Sequence, residues 1–366
     1  MDRLRALHDA GVSIWLDTLS RELLDTGEFA DLVAHRHVTG ATSNPTIFAK
    51  AITGSDRYES QLSQLLDSGE RNTRELFFAL ALDDVRRAAD ILRPVHTATG
   101  GSDGFVSFEC TPDLADDTDA TVTQARDLWA RLQRPNTMIK VPATAAGVPA
   151  IERLTAEGVN VNVTLLFSVD RYRQVMDAFQ TGLEARLAAG QPIDQIASVA
   201  SFFVSRVDTK VDAQLPGDSA LRGRAAVANA AIAFAAYRRT IAHERWRRLA
   251  AAGARPQRPL WASTGTKDDA YSDVLYVESL IATGVVNTMP QATLKAFDDH
   301  GTASDSLTES DNTATQLLDQ LSGAGIDLVQ ITKQLEHEGV DSFCDSYAQL
   351  LACIDERAEQ LLSQAQ

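Results

Sequence analysis

The chain has 366 residues, of which 44% are hydrophobic and 6% aromatic, enough for one large α/β domain or two ordinary ones. Its formal charge of −16 disfavours attraction to polyphosphate or anionic lipid, so neither nucleic acid nor a membrane is an expected partner. Cys110, Cys344 and Cys353 are odd in number and form no CxxC, which points to a reducing compartment.

The opening MDRLRALHDAG is charged and holds no apolar stretch of signal-peptide length, so no leader is expected. No window approaches 18 uninterrupted apolar residues, and the expected location is the cytosol. Eight short β-branched or apolar runs then follow in order. SIWLDT (13–18) carries Asp17 near its end, and HVTGATSN (37–44) finishes in Ser43-Asn44 before Pro45. GFVSFEC (104–110) carries Glu109, and TMIKVPA (137–143) carries Lys140. VNVNVTLLF (159–167) alternates Asn162 and Thr164 with Val161, Val163 and Leu165. IASVASFFVSRVD (196–208) holds Ser201 and Arg206, and RPLWASTG (258–265) holds Ser263, with Lys267 just beyond. GVVNTMP (284–290) supplies Asn287 and Thr288. Between the runs lie segments with helical spacing, such as RELFFALALDDVRRAADILR (74–93) and RAAVANAAIAFAAYRRTIAHERWRRLAAAG (224–253).

Strands alternating with helices imply right-handed βαβ units and a parallel sheet. Eight such repeats in about 300 residues predict a (β/α)8 barrel rather than an open sheet. No Pro/Gly/Ser-rich linker divides the chain, so residues 1–366 read as a single domain, with 301–366 a helical C-terminal extension. Active sites of such barrels sit at the C-terminal ends of the strands. Every run contributes a polar residue there, where a purely structural barrel would use Val, Ile and Leu.

Only six of the 34 basic residues are lysine, and Lys140 lies between Ile139 and Val141 in an apolar run. One reading is a strand lysine whose head reaches solvent or a carboxylate. The other is a nucleophile, because burial favours the neutral form of an amine and a neutral amine attacks carbonyls. The resulting iminium withdraws electrons and permits the neighbouring C–C bond to break or form. Glu109, on the preceding strand, suits the proton transfers of carbinolamine dehydration, and Asp17 suits removal of a substrate hydroxyl proton. Arg206 and Lys267, after the sixth and seventh runs, suit a phosphate dianion. The loop STGTKDD is no P-loop, and GGSDG (100–104) lacks the spacing of a dinucleotide fingerprint. The histidines are scattered, and the one close pair, His35 and His37, precedes the second run at the structural end of a barrel. Neither a metal nor a cofactor is expected. The tryptophans read as helix–sheet packing, with Trp261 a candidate for the pocket border.

These residues resemble those of the transaldolases. GATSNPTIF (40–48) resembles that family's T-[ST]-N-P signature, and IKVPAT (139–144) resembles the segment around its Schiff-base lysine. VNVTLLFS (161–168), ASFFVSRVD (200–208) and VNTMPQATLKAF (286–297) carry the similarity from about residue 12 to 300. The resemblance implies a metal-independent transferase of the pentose phosphate pathway. It would move a dihydroxyacetone unit from sedoheptulose 7-phosphate to glyceraldehyde 3-phosphate, giving erythrose 4-phosphate and fructose 6-phosphate. By motif, Lys140 matches the Schiff-base lysine, Glu109 the acid/base that works through a water, and Asp17 the strand-1 aspartate. Thr164 matches the residue that helps hold that water, and Asn44 and Asn162 those that hydrogen-bond the ketose. Ser201, Phe203 and Arg206 match the substrate-binding segment, with Arg206 toward phosphate, and Ser263 is read with them. The chain departs from the best-known pattern with SFFVSR for SPFVGR and WASTGTK for GASFR, which makes Lys267 the substitute phosphate contact and suggests a distinct bacterial branch. A fructose 6-phosphate aldolase is the alternative enzyme, and a sugar-phosphate sensor without activity the alternative of another class. The protein is read as a monomer or homodimer, since helix faces that dimerise look like those that bury in a core.

Overall fold

The eight runs become eight parallel strands that close on one another in chain order, each paired with its sequence neighbours and the last with the first. In this computed structural model, which describes residues 2–307 and 311–364, they are β1 (Ser13–Leu16), β2 (Val38–Thr42), β3 (Phe105–Glu109) and β4 (Thr137–Pro142). The ring continues with β5 (Val161–Leu166), β6 (Ser198–Phe203), β7 (Arg258–Ala262) and β8 (Val286–Met289). Apart from Arg258 every strand residue is buried, because one face fills the barrel and the other is covered by helices. One apolar core runs from Leu4 to Ala358, so the closing helices belong to the same packed body as the strands.

The expected (β/α)8 barrel is therefore the fold, with three local differences. The sixth run is too long as read: β6 ends at Phe203 and residues 205–212 form a helix, which carries Arg206. Val204 and Ser205 still donate from their backbone N–H groups to Ala262 O and Ser263 O at 2.9 and 3.1 Å, and the chain turns into this helix while bonded to the β7 end. The 224–253 segment is two helices, Ala225–Ala242 and Glu244–Ala251, broken at His243, whose extended backbone (ψ 151) cannot continue a helix. Trp261 does not border a cavity. It is fully buried, donates from Nε1 to Leu280 O at 3.0 Å, and meets Phe202 edge-on.

Two ends of the ring differ in character. At the N-terminal end Trp15 donates from Nε1 to Asp103 at 2.8 Å, Ser13 bonds the same carboxylate, and Arg258 donates to Ser13 Oγ at 2.6 Å. Gly40 lies under the Trp15 ring, where a Cβ would sit 2.4 Å from the indole. The C-terminal end is crossed by the long helix Leu328–Gln364. Its Ser346 bonds Thr46 at 2.7 Å, Glu336 pairs with Arg171 at 3.4 Å, and Glu338 with Lys210 at 2.6 Å. Those partners sit on helices that follow β2, β5 and β6, so the extension spans the barrel mouth.

Candidate active site

Parallel pairing in β3, β4 and β5 sets Glu109 opposite Lys140 and Lys140 opposite Asn162. Ile139 and Val141 point outward into the core, and the alternation turns Lys140 inward. Its Nζ lies 3.0 Å from Glu109 Oε2 and donates to Ser43 O at 3.0 Å, with 5% and 4% of the two side chains exposed. Burial pushes the Glu109 carboxyl above its ordinary range; Lys140 opposes this, and Asp17 adds to it. Glu109 stands behind Lys140 rather than on the cavity wall, so protons reach it by way of that contact or a bridging molecule.

Asp17 follows β1 directly, with its backbone N–H donating to Met289 O at 2.8 Å. Burial raises its carboxyl too, against Lys140, Thr42, Lys267 and Arg206, in that order. Thr42 Oγ1 donates to Asp17 Oδ1 at 2.8 Å and lies 2.8 Å from Thr288 Oγ1. A hydroxyl has one proton, so the relay runs Thr288 to Thr42 to Asp17. A carboxylate held out of water with its pKa raised is a better proton acceptor than an ordinary aspartate.

Thr164 lines the cavity, and its buried Oγ1 has no hydrogen-bond partner among the described residues. A buried hydroxyl without a protein partner is available to a visiting molecule. Its neighbour Leu165 has φ +56 at a register break between β5 and β6, and packs beneath Gly339 of the crossing helix. A bulky residue in the left-handed region marks strain at the strand end, where Thr164 is aimed.

Asn162 is the site residue whose place differs most from expectation. It is fully buried and does not line the cavity; its Nδ2 donates to Ser107 Oγ at 2.9 Å and its Oδ1 accepts from Ser201 Oγ at 2.7 Å. It therefore braces Ser201, which does line the cavity. Asn44 also reaches the wall while capping the helix Pro45–Thr53, its Oδ1 accepting from Ile47 N at 2.9 Å. With the carbonyl oxygen committed to the cap, the Asn44 amide N–H groups are the ones available to a ligand.

The cavity measures about 310 Å³ and takes in Asp17, Asn44, Lys140, Thr164, Ser201, Phe203, Arg206, Ser263 and Lys267. Arg206 lies 5.2 Å over the Phe203 ring; burial lowers its pKa while Asp17 and Glu338 pull it back. Ser263 holds φ +58, and its Oγ lies 2.8 Å from Ser205 Oγ, which pins the β7 end to the helix that carries Arg206. Lys267 is exposed at the rim. Sequence reasoning passed over Thr42, the Ser43 carbonyl, Lys50, Ser342 and Phe343. Thr42 could have been found from its spacing of two from Asn44 at the end of β2, and Ser342 and Phe343 could not, because they arrive from a helix about 200 positions beyond Lys140. A larger cleft of about 620 Å³ lies outside the crossing helix, bounded by Arg171, Lys333 and Glu336, and contains none of the strand-end residues above.

The family described as transaldolase/fructose-6-phosphate aldolase matches residues 14–354. A transaldolase of Parafrankia sp. (strain EAN1pec) is 52% identical over 360 residues, covering 97% of each chain. One of Thermobifida fusca (strain YX) is 52% identical over 364 residues and 98% of each chain, and the transaldolase 2 of Streptomyces coelicolor is 49% identical over 366 residues and 98% of each.

Proposed function

The chain belongs to the transaldolase/fructose-6-phosphate aldolase family, and we propose that Lys140 is the amine through which it transfers a dihydroxyacetone unit between sugar phosphates. It is an enzyme, a transferase with transaldolase activity. The observation that carries the assignment of Lys140 is its buried contact of 3.0 Å with Glu109 on the floor of a cavity ringed by strand-end polar groups.

The reaction begins as the ammonium proton of Lys140 passes to Glu109 across that contact. The free amine adds to C2 of sedoheptulose 7-phosphate, and the carbinolamine loses water with a proton supplied by Glu109. The iminium then draws the electrons of the C3–C4 bond while Asp17 removes the C4 hydroxyl proton, and erythrose 4-phosphate departs. The enamine that remains attacks the aldehyde carbon of glyceraldehyde 3-phosphate, and Asp17 returns its proton to the new alkoxide. Water held at Thr164 and activated by Glu109 hydrolyses the iminium, which releases fructose 6-phosphate and restores the amine. Asn44 and Ser201 orient the ketose hydroxyls, Asn162 braces Ser201, and Arg206, Ser263 and Lys267 receive the phosphate beside the Phe203 ring. No step requires a metal or an organic cofactor.

We further read residues 1–366 as one domain of the pentose phosphate pathway in the cytosol, monomeric or homodimeric. Among the described residues no helix is long and apolar enough to cross a membrane. The decisive experiment is reduction by borohydride with fructose 6-phosphate, which should fix a three-carbon adduct on Lys140. Label on another lysine would overturn the mechanism. The family also contains aldolases that release free dihydroxyacetone, and assays with and without an aldose acceptor separate the two. Glu109 behind the lysine favours transfer, since the aldolases weighed as the alternative are expected from the resemblance to use a tyrosine as acid/base.

A further inference from the structure

Three of the six lysines in this acidic chain, Lys50, Lys140 and Lys267, line one cavity, yet the mechanism uses only two of them. Lys50 lies on the helix Pro45–Thr53 after β2, whereas Arg206 and Lys267 follow β6 and β7. In a ring of eight strands β2 and β6 stand four places apart, so Lys50 is on the wall opposite the other cations. It is six residues beyond Asn44, about 9 Å up the helix axis from the residue that faces the ketose. That height puts it at the rim, where Ser342 of the crossing helix joins it.

Lys50 is exposed in the last turn of its helix, where a cation suits the helix dipole, and it has no side-chain partner among the described residues. No carboxylate among the described residues comes within 4.0 Å of Lys50, while Lys210, on the helix that follows β6, pairs with Glu338 at 2.6 Å. Asp17 is the one acidic residue on the cavity wall among the described residues. In a chain of net charge −16, a dianionic substrate is repelled at long range, and a local cluster of cations at the mouth reverses that field. The same cavity of about 310 Å³ takes in Lys50, Arg206 and Lys267, so the three cations border the space that one sugar phosphate would enter.

We propose that Lys50 is a further phosphate-binding residue, which meets the phosphate ester of an entering sugar at the rim and holds it from the side opposite Arg206 and Lys267. The inference rests on the sugar-phosphate reading of the site but not on imine formation. It is tested with glucitol 6-phosphate, which carries the phosphate and the hydroxyls but no carbonyl, by titration calorimetry at low and high salt. Lys50→Gln should weaken binding about 3–10-fold at low ionic strength and less than about twofold in 0.5 M salt, as for an exposed, screened charge. Lys50→Glu should weaken it further, and Lys50→Arg should restore it to within about twofold. Borohydride reduction with dihydroxyacetone, which has no phosphate, should label Lys140 of the Lys50→Gln protein as fully as wild type. Equal affinities for glucitol 6-phosphate in wild type, Lys50→Gln and Lys50→Glu would overturn the proposal, as would a matching loss of dihydroxyacetone labelling. If wild type itself took no label while the salt-dependent differences persisted, the imine mechanism would fail and the role of Lys50 would stand.

Discussion

Replacing Glu109 by Gln keeps the shape of the side chain and removes its ability to carry a proton. The wild-type carboxylate lies 3.0 Å from Lys140 Nζ with both side chains about 5% exposed or less. Two unit charges at that distance attract by about 5–6 kcal/mol at an effective dielectric of about 20, and desolvation cancels much of this. Removing one partner from such a buried pair costs about 3–5 kcal/mol, less whatever Lys140 recovers by releasing its proton. A second effect has the opposite sign. Glu109's folded pKa is above 4.5, so its contribution to stability is full below that value and is lost as pH rises through the folded pKa. The Gln protein lacks that loss and should show a flatter stability profile over the same window. On catalysis, loss of the group that moves protons for dehydration and hydrolysis should lower kcat by about 10²–10⁴-fold, or about 3–5 kcal/mol of barrier. Urea unfolding would establish the fraction folded, and transfer from fructose 6-phosphate to erythrose 4-phosphate would be followed by initial rates. Borohydride trapping should still mark Lys140, but more slowly. A fully folded Glu109→Gln protein with kcat within tenfold of wild type would refute the acid/base assignment.

Lys140→Arg should abolish both the borohydride adduct and transfer, since a guanidinium stays protonated and forms no imine; a retained adduct would place the amine elsewhere. Arg206→Ala should raise KM for phosphorylated substrates about 10–100-fold, and Lys267→Ala, exposed at the rim, under about fivefold, with KM moving more than kcat in each case; the reverse order in steady-state kinetics would show the main phosphate contact to be Lys267. Gly40→Ala should lose about 3 kcal/mol in urea melts, because its Cβ would meet the buried Trp15 indole, which Asp103 holds in place; an unchanged midpoint would mean that the strand yields freely. Asp208, raised by burial to about 6 from 3.8, binds its proton more tightly in the folded state, so stability falls as pH rises between those values. Relative to Asp208→Asn, wild type should therefore lose about 2 kcal/mol between pH 4 and 7, and parallel profiles for the two proteins would contradict the shift.

Much of the site could be read along the chain because a strand alternates its side chains with a period of two. Lys140 between Ile139 and Val141, and Asn162 and Thr164 among Val161, Val163 and Leu165, announce inward polar groups before any contact is known. Glu109 beside Lys140 follows from the same local rule, since consecutive strands pair and their polar ends fall level. Arg206 is legible as a candidate, but the sixth run reads too far because nothing local marks where the strand gives way to the helix 205–212.

What closure of the ring decides lies beyond that rule. Asn162 is turned inward as expected, yet Ser107 from a strand two places away and Ser201 from the next occupy its amide, which moves it from the cavity wall to a brace behind it. Lys50, Ser342 and Phe343 enter from helices whose placement is set by packing across the mouth, with Thr46 bonded to Ser346 and Gly339 pressed on Leu165. The sequence by itself determined the strand order, the inward polar ladder and the amine at its centre, because these depend on neighbours in the chain and on the pleat. Only the tertiary structure decided which polar groups remain free for a ligand and which cations share its rim, because those depend on contacts between residues far apart in sequence.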